Sequence, residues 1–208
     1  MRLLIAGAGG KMGRQFVLQA VERGHEVTAI AHHTPSPALT GLAQLVVGDA
    51  RDPALVDRAM AGQDAVVDTI GTRQPYRRTT LETDAARALV EAARRHGVAR
   101  VAAISSLGVG DSIANVNFLF RMLLPLFFRG VMPDKEGMEA TIQGSGLDWL
   151  IVRPSGLTDR RGTGQVRLVT PGSGERAHQV ARADVAAWTL EALSASAPLR
   201  RIVGLTTT

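Results

Sequence analysis

The chain has 208 residues, 45% of them apolar, enough for a full hydrophobic core. It has no cysteine, which excludes disulfides, thiol nucleophiles and cysteine-ligated zinc or iron–sulfur sites. The formal charge is +5, but the arginines are scattered and there are only 5 Phe, 2 Trp and 1 Tyr, so a phosphate-bearing small ligand is expected and nucleic acid is not.

No stretch reaches about 18 uncharged apolar residues, so no membrane span is expected. The short apolar run after Arg2 passes straight into glycines and does not read as a secretory signal. A cytoplasmic protein, monomer or homodimer, is expected.

Arg2 to Ala6 is apolar and long enough for one buried parallel strand. Gly7, Gly9, Gly10 and Gly13 follow, and then Phe16, Val17, Ala20 and Val21 recur at helical spacing. In a strand–turn–helix context the run G-x-G-G-x-x-G points to dinucleotide binding. Gly7 can take a positive-φ turn, Gly9 and Gly10 can let a pyrophosphate approach, and Gly13 can let the helix pack close. The N–H groups of Gly10, Lys11, Met12 and Gly13 would then face the anion. A tight turn without a ligand is the alternative.

Strands are predicted over His25–Ala31, Gln44–Val47, Asp64–Ile70, Val98–Ile104, Asp148–Arg153, Gln165–Thr170 and Arg201–Leu205. Between them, a short helix opens at Pro53 after an Asp52 cap and runs through Met60. Thr79 or Thr80 caps a long helix that stops at Gly97, and further helices span Asp134–Gly144 and Ala183–Leu193. This alternation predicts an α/β fold: a doubly wound, mainly parallel sheet with helices on both faces, in a single Rossmann-type domain over residues 1–208.

Several of these segments resemble the atypical short-chain dehydrogenase/reductases. They are Gly7-Ala-Gly-Gly-x-x-Gly13, Val46-Val-Gly-Asp-x-x-Asp52, Ile104-Ser-Ser106, Asp134-Lys-Glu136 and Ser145-Gly-Leu-Asp-Trp-Leu-Ile-Val-Arg-Pro154. Gly62-Gln-Asp-Ala-Val66 and Ile70-Gly-Thr-Arg73 look most like the NADPH-dependent flavin reductase/biliverdin IXβ reductase branch. The resemblance implies an NAD(P) cofactor, with Asp49 and Ala50 at the adenine and Ile70 and Gly71 on the adenosine side. It also implies Ser105 and Ser106 at the nicotinamide end, with Pro154 holding the nicotinamide amide through backbone groups. Asp49 can otherwise be read as a turn or capping carboxylate.

The second strand ends in Ala31-His32-His33-Thr34 with no acid to repel a 2′-phosphate, so NADPH is expected over NADH. NADP-binding members of the family usually carry Arg where His32 stands; Lys11, Arg14 or Arg73 can add the missing charge. The adjacent His32 and His33 have no carboxylate nearby, and no metal site is expected.

The usual Tyr-x-x-x-Lys pair of carbonyl reductases is absent: the one tyrosine, Tyr76, is followed four residues later by Thr80, and Val131 stands four before Lys135. The expected reaction is therefore hydride transfer to a flavin, quinone or similar planar acceptor, where the cofactor carries the chemistry and the protein positions two rings. Ser106 and Lys135 are the candidate catalytic residues. Ser106 can also be a strand-end serine bonded to local backbone, and Lys135 a solvated helix-start lysine. The other reading is a non-catalytic NADP(H) sensor of the NmrA-like type. The phenylalanine-rich segment 116–131 can be core, a lid over the nicotinamide, or a partner surface.

Overall fold

The computed structural model describes residues 1–33, 39–116, 121–122 and 127–208. Six parallel strands come first: β1 (Arg2–Ala6), β2 (Glu26–Ala31), β3 (Gln44–Val47), β4 (Ala65–Asp68), β5 (Arg100–Ile104) and β6 (Asp148–Pro154). They are joined by α1 (Lys11–Glu22), α2 (Pro53–Met60), α3 (Leu81–His96) and α4 (Met132–Gln143). The two-residue strands β7 (Leu157–Thr158) and β9 (Val180–Ala181) pair with each other, and β8 (Val166–Val169), α5 (Arg182–Ser194) and β10 (Arg201–Thr207) complete the chain.

The main sheet runs β3-β2-β1-β4-β5-β6-β10-β8, parallel throughout except for β8, which lies antiparallel to β10. This is the doubly wound, mainly parallel Rossmann-type sheet. The chain order reverses between β1 and β4, and ligands of such sheets bind in the crevice beyond that point.

Strand alternation divides the core. Leu3, Ile5, Val67, Ala102 and Val152 face Phe16 and Val17 of α1 and Val185 and Leu190 of α5. Leu4, Ala6, Val66, Ala103 and Ile151 face Leu55 of α2, Leu89 of α3, and Met138 and Ile142 of α4. Each buried Leu, Ile, Val, Met or Phe side chain among them contributes about 1.5–3 kcal/mol. Both faces of β1 are covered, which is why it reads as a continuous apolar run.

Most element boundaries match the sequence expectation within two residues. Asp52 caps α2, its carboxylate accepting from the Ala54 N–H at 2.9 Å. Gly97 ends α3 with φ +68°, where glycine carries no Cβ penalty. At α3 it is the Thr79 hydroxyl and not that of Thr80 that accepts from the Leu81 N–H, at 3.0 Å. Helix α4 starts at Met132, two residues before the expected Asp134, because Pro133 sits comfortably in a first turn. The β7–β9 pair and a 3₁₀ turn over Gly110–Asn115 are too short to leave a pattern in the sequence. Half of the phenylalanine-rich segment, residues 117–120 and 123–126, lies outside the described residues. No helix among the described residues is long and apolar enough to cross a membrane.

Candidate functional site

The turn after β1 is held by its own backbone. The Gly7 and Ala8 N–H groups donate to the Ile30 carbonyl at 3.0 and 2.9 Å, and the Gly10 N–H donates to the Gly7 carbonyl at 2.9 Å. Gly7 has φ +86°, and a Cβ there would lie 2.8 Å from Thr69 Oγ1. A Cβ on Gly13 would run into the Gly7 carbonyl and Ala8 Cα, so helix α1 packs close to the turn itself. Gly9 differs: among the described residues a Cβ there would meet only the Ala31 Cβ at 3.6 Å, so none of them demands glycine.

The first turn of α1 has no side-chain cap. Gly10's N–H is used in the turn. Among the described residues none accepts from the N–H groups of Lys11, Met12 and Gly13. Met12's side chain is core, packed with Phe16, and only its N–H is available at the helix end. A glycine surface open at position 9, beside unpaired N–H groups at a helix start, fits a pyrophosphate.

One cavity of about 520 Å³ lies beyond β1 to β4. Gly7, Gly9, Gly10, His32, Asp49, Ala50, Ile70, Gly71 and Arg73 all line it, so the structure brings together most of the expected adenosine-side residues, while Lys11 and Arg14 do not border it. Arg51 lines it too and grips Asp49, with the terminal nitrogen 2.6 Å and the main-chain nitrogen 2.9 Å from its carboxylate. That hydrogen-bonded guanidinium holds Asp49 down at about 2. His32 Nδ1 lies 3.1 Å from His33 Nε2, while Arg73 is exposed and has no carboxylate partner among the described residues.

A second cavity of about 500 Å³ lies beyond β5 and β6. Ser105, Ser106 and Pro154 line it, with Leu107, Val116, Phe128, Met132 and Leu157 as apolar wall. Val116 and Phe128, from the two ends of the phenylalanine-rich segment, thus border the same space as Ser106. The Ser106 hydroxyl donates to the Leu107 carbonyl at 3.1 Å, whereas Ser105 Oγ is buried without a partner among the described residues.

His178, Gln179 and Arg182 reach this cavity from distant sequence. Arg182 pairs with Asp159 at 2.6 Å and not with Asp184, whose carboxylate instead accepts from Thr163 and Gly164. Asp159 also takes Lys11 at 2.5 Å, tying the start of α1 to the start of α5. Lys11 is therefore ion-paired, and it borders neither cavity.

Lys135 lies away from the cavity walls as well. Met132, in the first turn of α4, borders the acceptor-side cavity; three residues on, Lys135 turns toward α3 and donates to Glu82 at 2.8 Å. Glu82 is 1% exposed, and burial pushes its carboxyl above the usual range. The Asp134 carboxylate accepts from the Glu82 and Thr83 N–H groups at 3.0 and 2.9 Å, so it caps the start of α3. Next to them Asp68 ends β4, 3% exposed, with one oxygen bonded to the Ile70 N–H at 2.9 Å. Burial pushes it up to about 7. The unfolded chain would lose this proton near 4, so Asp68 costs stability increasingly as pH rises from there to neutrality.

The NAD(P)H-binding family profile matches residues 7–196. The chain belongs to the NAD(P)H-binding family. A photosystem II assembly factor, Ycf39 of Trieres chinensis, is 31% identical over 162 residues, 76% of this chain and 46% of that protein. An uncharacterized sugar epimerase of Bacillus subtilis, YhfK, is 28% identical, covering 80% of this chain and 77% of its own. Among solved structures, ChuY of Escherichia coli O157:H7, described as an anaerobillin reductase, superposes with a TM-score of 0.81 at 28% identity over 100% of this chain and 97% of its own. The chain spans less than half the length of some curated relatives, including 34% of a 2-alkyl-3-oxoalkanoate reductase from Stenotrophomonas maltophilia. These likenesses bear out the resemblance to the atypical short-chain dehydrogenase/reductases.

For a member of the NAD(P)H-binding family, the sequence reading missed Arg51, Asp68, Glu82, Asp159 and His178. Arg51 was legible in principle, two residues from an expected strand-end acid. An aspartate inside the apolar run Ala65-Val-Val-Asp68 was also a signal, since an acid so placed must be paired or protonated. His178 left none, because it reaches the site through the β7–β9 pair and the Thr206 hydroxyl, which accepts from its N–H at 2.7 Å.

Proposed function

We propose that the protein is an NADPH-dependent oxidoreductase that reduces a flavin, a quinone or a similar planar acceptor. When bound, the nicotinamide supplies a hydride. The N–H groups of Lys11, Met12 and Gly13 hold the pyrophosphate, and Asp49 and Ala50 sit at the adenine. Ile70 and Gly71 flank the adenosine ribose. His32 and Arg73 meet the 2′-phosphate, the guanidinium supplying charge and the imidazole a hydrogen bond. Ser105, Ser106 and Pro154 position the nicotinamide end beside the acceptor.

The observation that carries this reading is the second cavity. Its about 500 Å³ lie beyond the ends of β5 and β6, where Leu107, Val116, Phe128, Met132 and Leu157 make an apolar wall suited to a flat conjugated ring and Ser155, His178, Gln179 and Arg182 offer polar groups to orient it. The ChuY likeness adds a bilin to the candidate acceptors.

The test is NADPH oxidation by the purified protein with FMN, a simple quinone and a bilin in turn, against NADH. Acceptor-dependent oxidation, faster with NADPH, is expected. Tight NADPH binding with no turnover on any acceptor would give the sensor reading the better case.

A further inference from the structure

One wall of the adenosine-side cavity comes from two neighbouring strand ends. β2 and β3 run in parallel with Ala31 opposite Val47, and the Gly48 N–H donates to the Ala31 carbonyl at 2.9 Å. His32 and the turn over residues 48–51 therefore leave the sheet side by side, and His32, Gly48, Asp49 and Arg51 all line the cavity. In sheets of this kind the end of the second strand meets the ribose 2′-hydroxyl, and an arginine nearby accommodates a 2′-phosphate. A side chain leaving β3 beside that strand end stands at the same end of the ligand. Position 32 supplies an imidazole there and not a guanidinium, and its Nδ1 lies 3.1 Å from His33 Nε2.

Arg51 is held by one edge only. Its Nε lies 3.0 and 3.1 Å from the two Asp49 carboxylate oxygens, and its Nη2 lies 2.6 Å from one of them. A guanidinium carries five N–H donors in a rigid planar fork, so this grip fixes the plane and leaves the other edge over. Nη1 has no partner among the described residues, and the side chain stays 48% exposed at the cavity wall. Asp84, the other acid whose charge reaches Arg51, is paired with Arg87 at 3.2 Å.

Asp49 is the one acid among the described residues that line this cavity. With its carboxyl held down at about 2, it is ionised at neutral pH. A 2′-phosphate brings about two further negative charges. Bare, Asp49 would repel them. Neutralised by a guanidinium with an edge to spare, the same wall attracts them.

We propose that Arg51 selects NADPH over NADH: its inner edge cancels Asp49, and its free edge donates to the 2′-phosphate, supplying from β3 the guanidinium that position 32 does not supply from β2. The proposal rests on the NADPH reading and adds Arg51 to His32 and Arg73.

Calorimetric titration of the full chain with NADPH and with NADH reads binding without turnover. The wild type should prefer NADPH. Arg51→Met should weaken NADPH by about 10- to 100-fold, the scale of a lost charge-assisted hydrogen bond, and change NADH by less than about threefold. Combining Arg51→Met with Asp49→Asn should leave the preference lost, because the donor to the phosphate is still missing. Recovery of the wild-type preference in that double variant would show that Arg51 only cancels Asp49, and would overturn the contact. Equal losses of NADPH and NADH in Arg51→Met would overturn it too, since they would put Arg51 at the adenine that both cofactors share. Arg51→Lys decides the matter if Arg51→Met does not fold: with a point charge and no fork, it should lose NADPH affinity and keep NADH affinity. A wild type that prefers NADPH, with the Arg51 variants unchanged in that preference, overturns the proposal alone. A wild type that binds both cofactors equally overturns the NADPH reading, and the proposal with it.

Discussion

The two cavities are almost the same size, about 520 and about 500 Å³, and are built in opposite ways. The adenosine-side cavity is made almost wholly of residues within a few positions of the carboxyl ends of β1 to β4, namely the glycine turn, His32, Asp49 to Arg51, and Thr69 to Arg73, with Leu81 of α3 added. The acceptor-side cavity joins the ends of β5 and β6 to Asn115, Phe128, Met132, His178 and Arg182, which come from separate loops and helices. A shared ligand can be held by strand ends that any such sheet provides. A particular acceptor needs walls that only folded connections bring together.

The sharpest break in that comparison should come from Arg153, which ends β6 under the acceptor-side wall. Its guanidinium binds the buried Glu139 at 2.9 and 2.7 Å and reaches Asp111, in the 3₁₀ turn leading to Asn115, at 2.5 Å. Arg153→Met would leave Glu139 charged and unpaired, a loss of about 3–5 kcal/mol by urea unfolding. A loss below about 1 kcal/mol would show that the acceptor side does not depend on this buried pair.

On the other side, Gly9→Asp puts a carboxylate where the pyrophosphate belongs, yet the fold has room for its Cβ. NADPH affinity should drop about 100-fold, or about 2.7 kcal/mol, with an unchanged melting temperature, as read by calorimetry and thermal unfolding. If melting falls along with binding, glycine there serves the turn and not the ligand. Arg73→Ala should weaken NADPH by about 10-fold and leave NADH alone. Equal effects on the two would remove Arg73 from 2′-phosphate recognition.

The smallest effect is expected at Asp159, which bridges Lys11 and Arg182 in the open, its side chain 56% exposed. Asp159→Asn should leave the unfolding midpoint unchanged, because such pairs gain little in water and are screened by salt. A measurable destabilisation would mean that the tie between the starts of α1 and α5 helps hold the two halves in register.

The site divides along the same line in legibility. The glycines, Asp49, Ala50, Ile70 and Gly71 could be read in order because each follows an apolar run whose end is visible in the chain. Ser106 and Lys135 could not be placed that way. Whether a serine faces the cavity or its neighbour's carbonyl is settled by side-chain rotation, and Lys135 turns away because Glu82, 53 residues earlier, waits on another helix. Asp68 was visible as an acid in an apolar strand, but its want of a cation depends on which groups α3 and α4 lay against it.

By itself, then, the sequence determined the sheet, the helices on its two faces and the turn that begins the cofactor cleft. Those follow from local periodicity and from glycines whose conformation is a property of the backbone. Only the tertiary structure decided the shape of the acceptor cavity, the partners of Lys11, Lys135 and Arg182, and the protonation of Asp68. Cavities, ion pairs and the desolvation of a carboxylate are made by groups far apart in the chain, and their energies exist only once folding has brought those groups together.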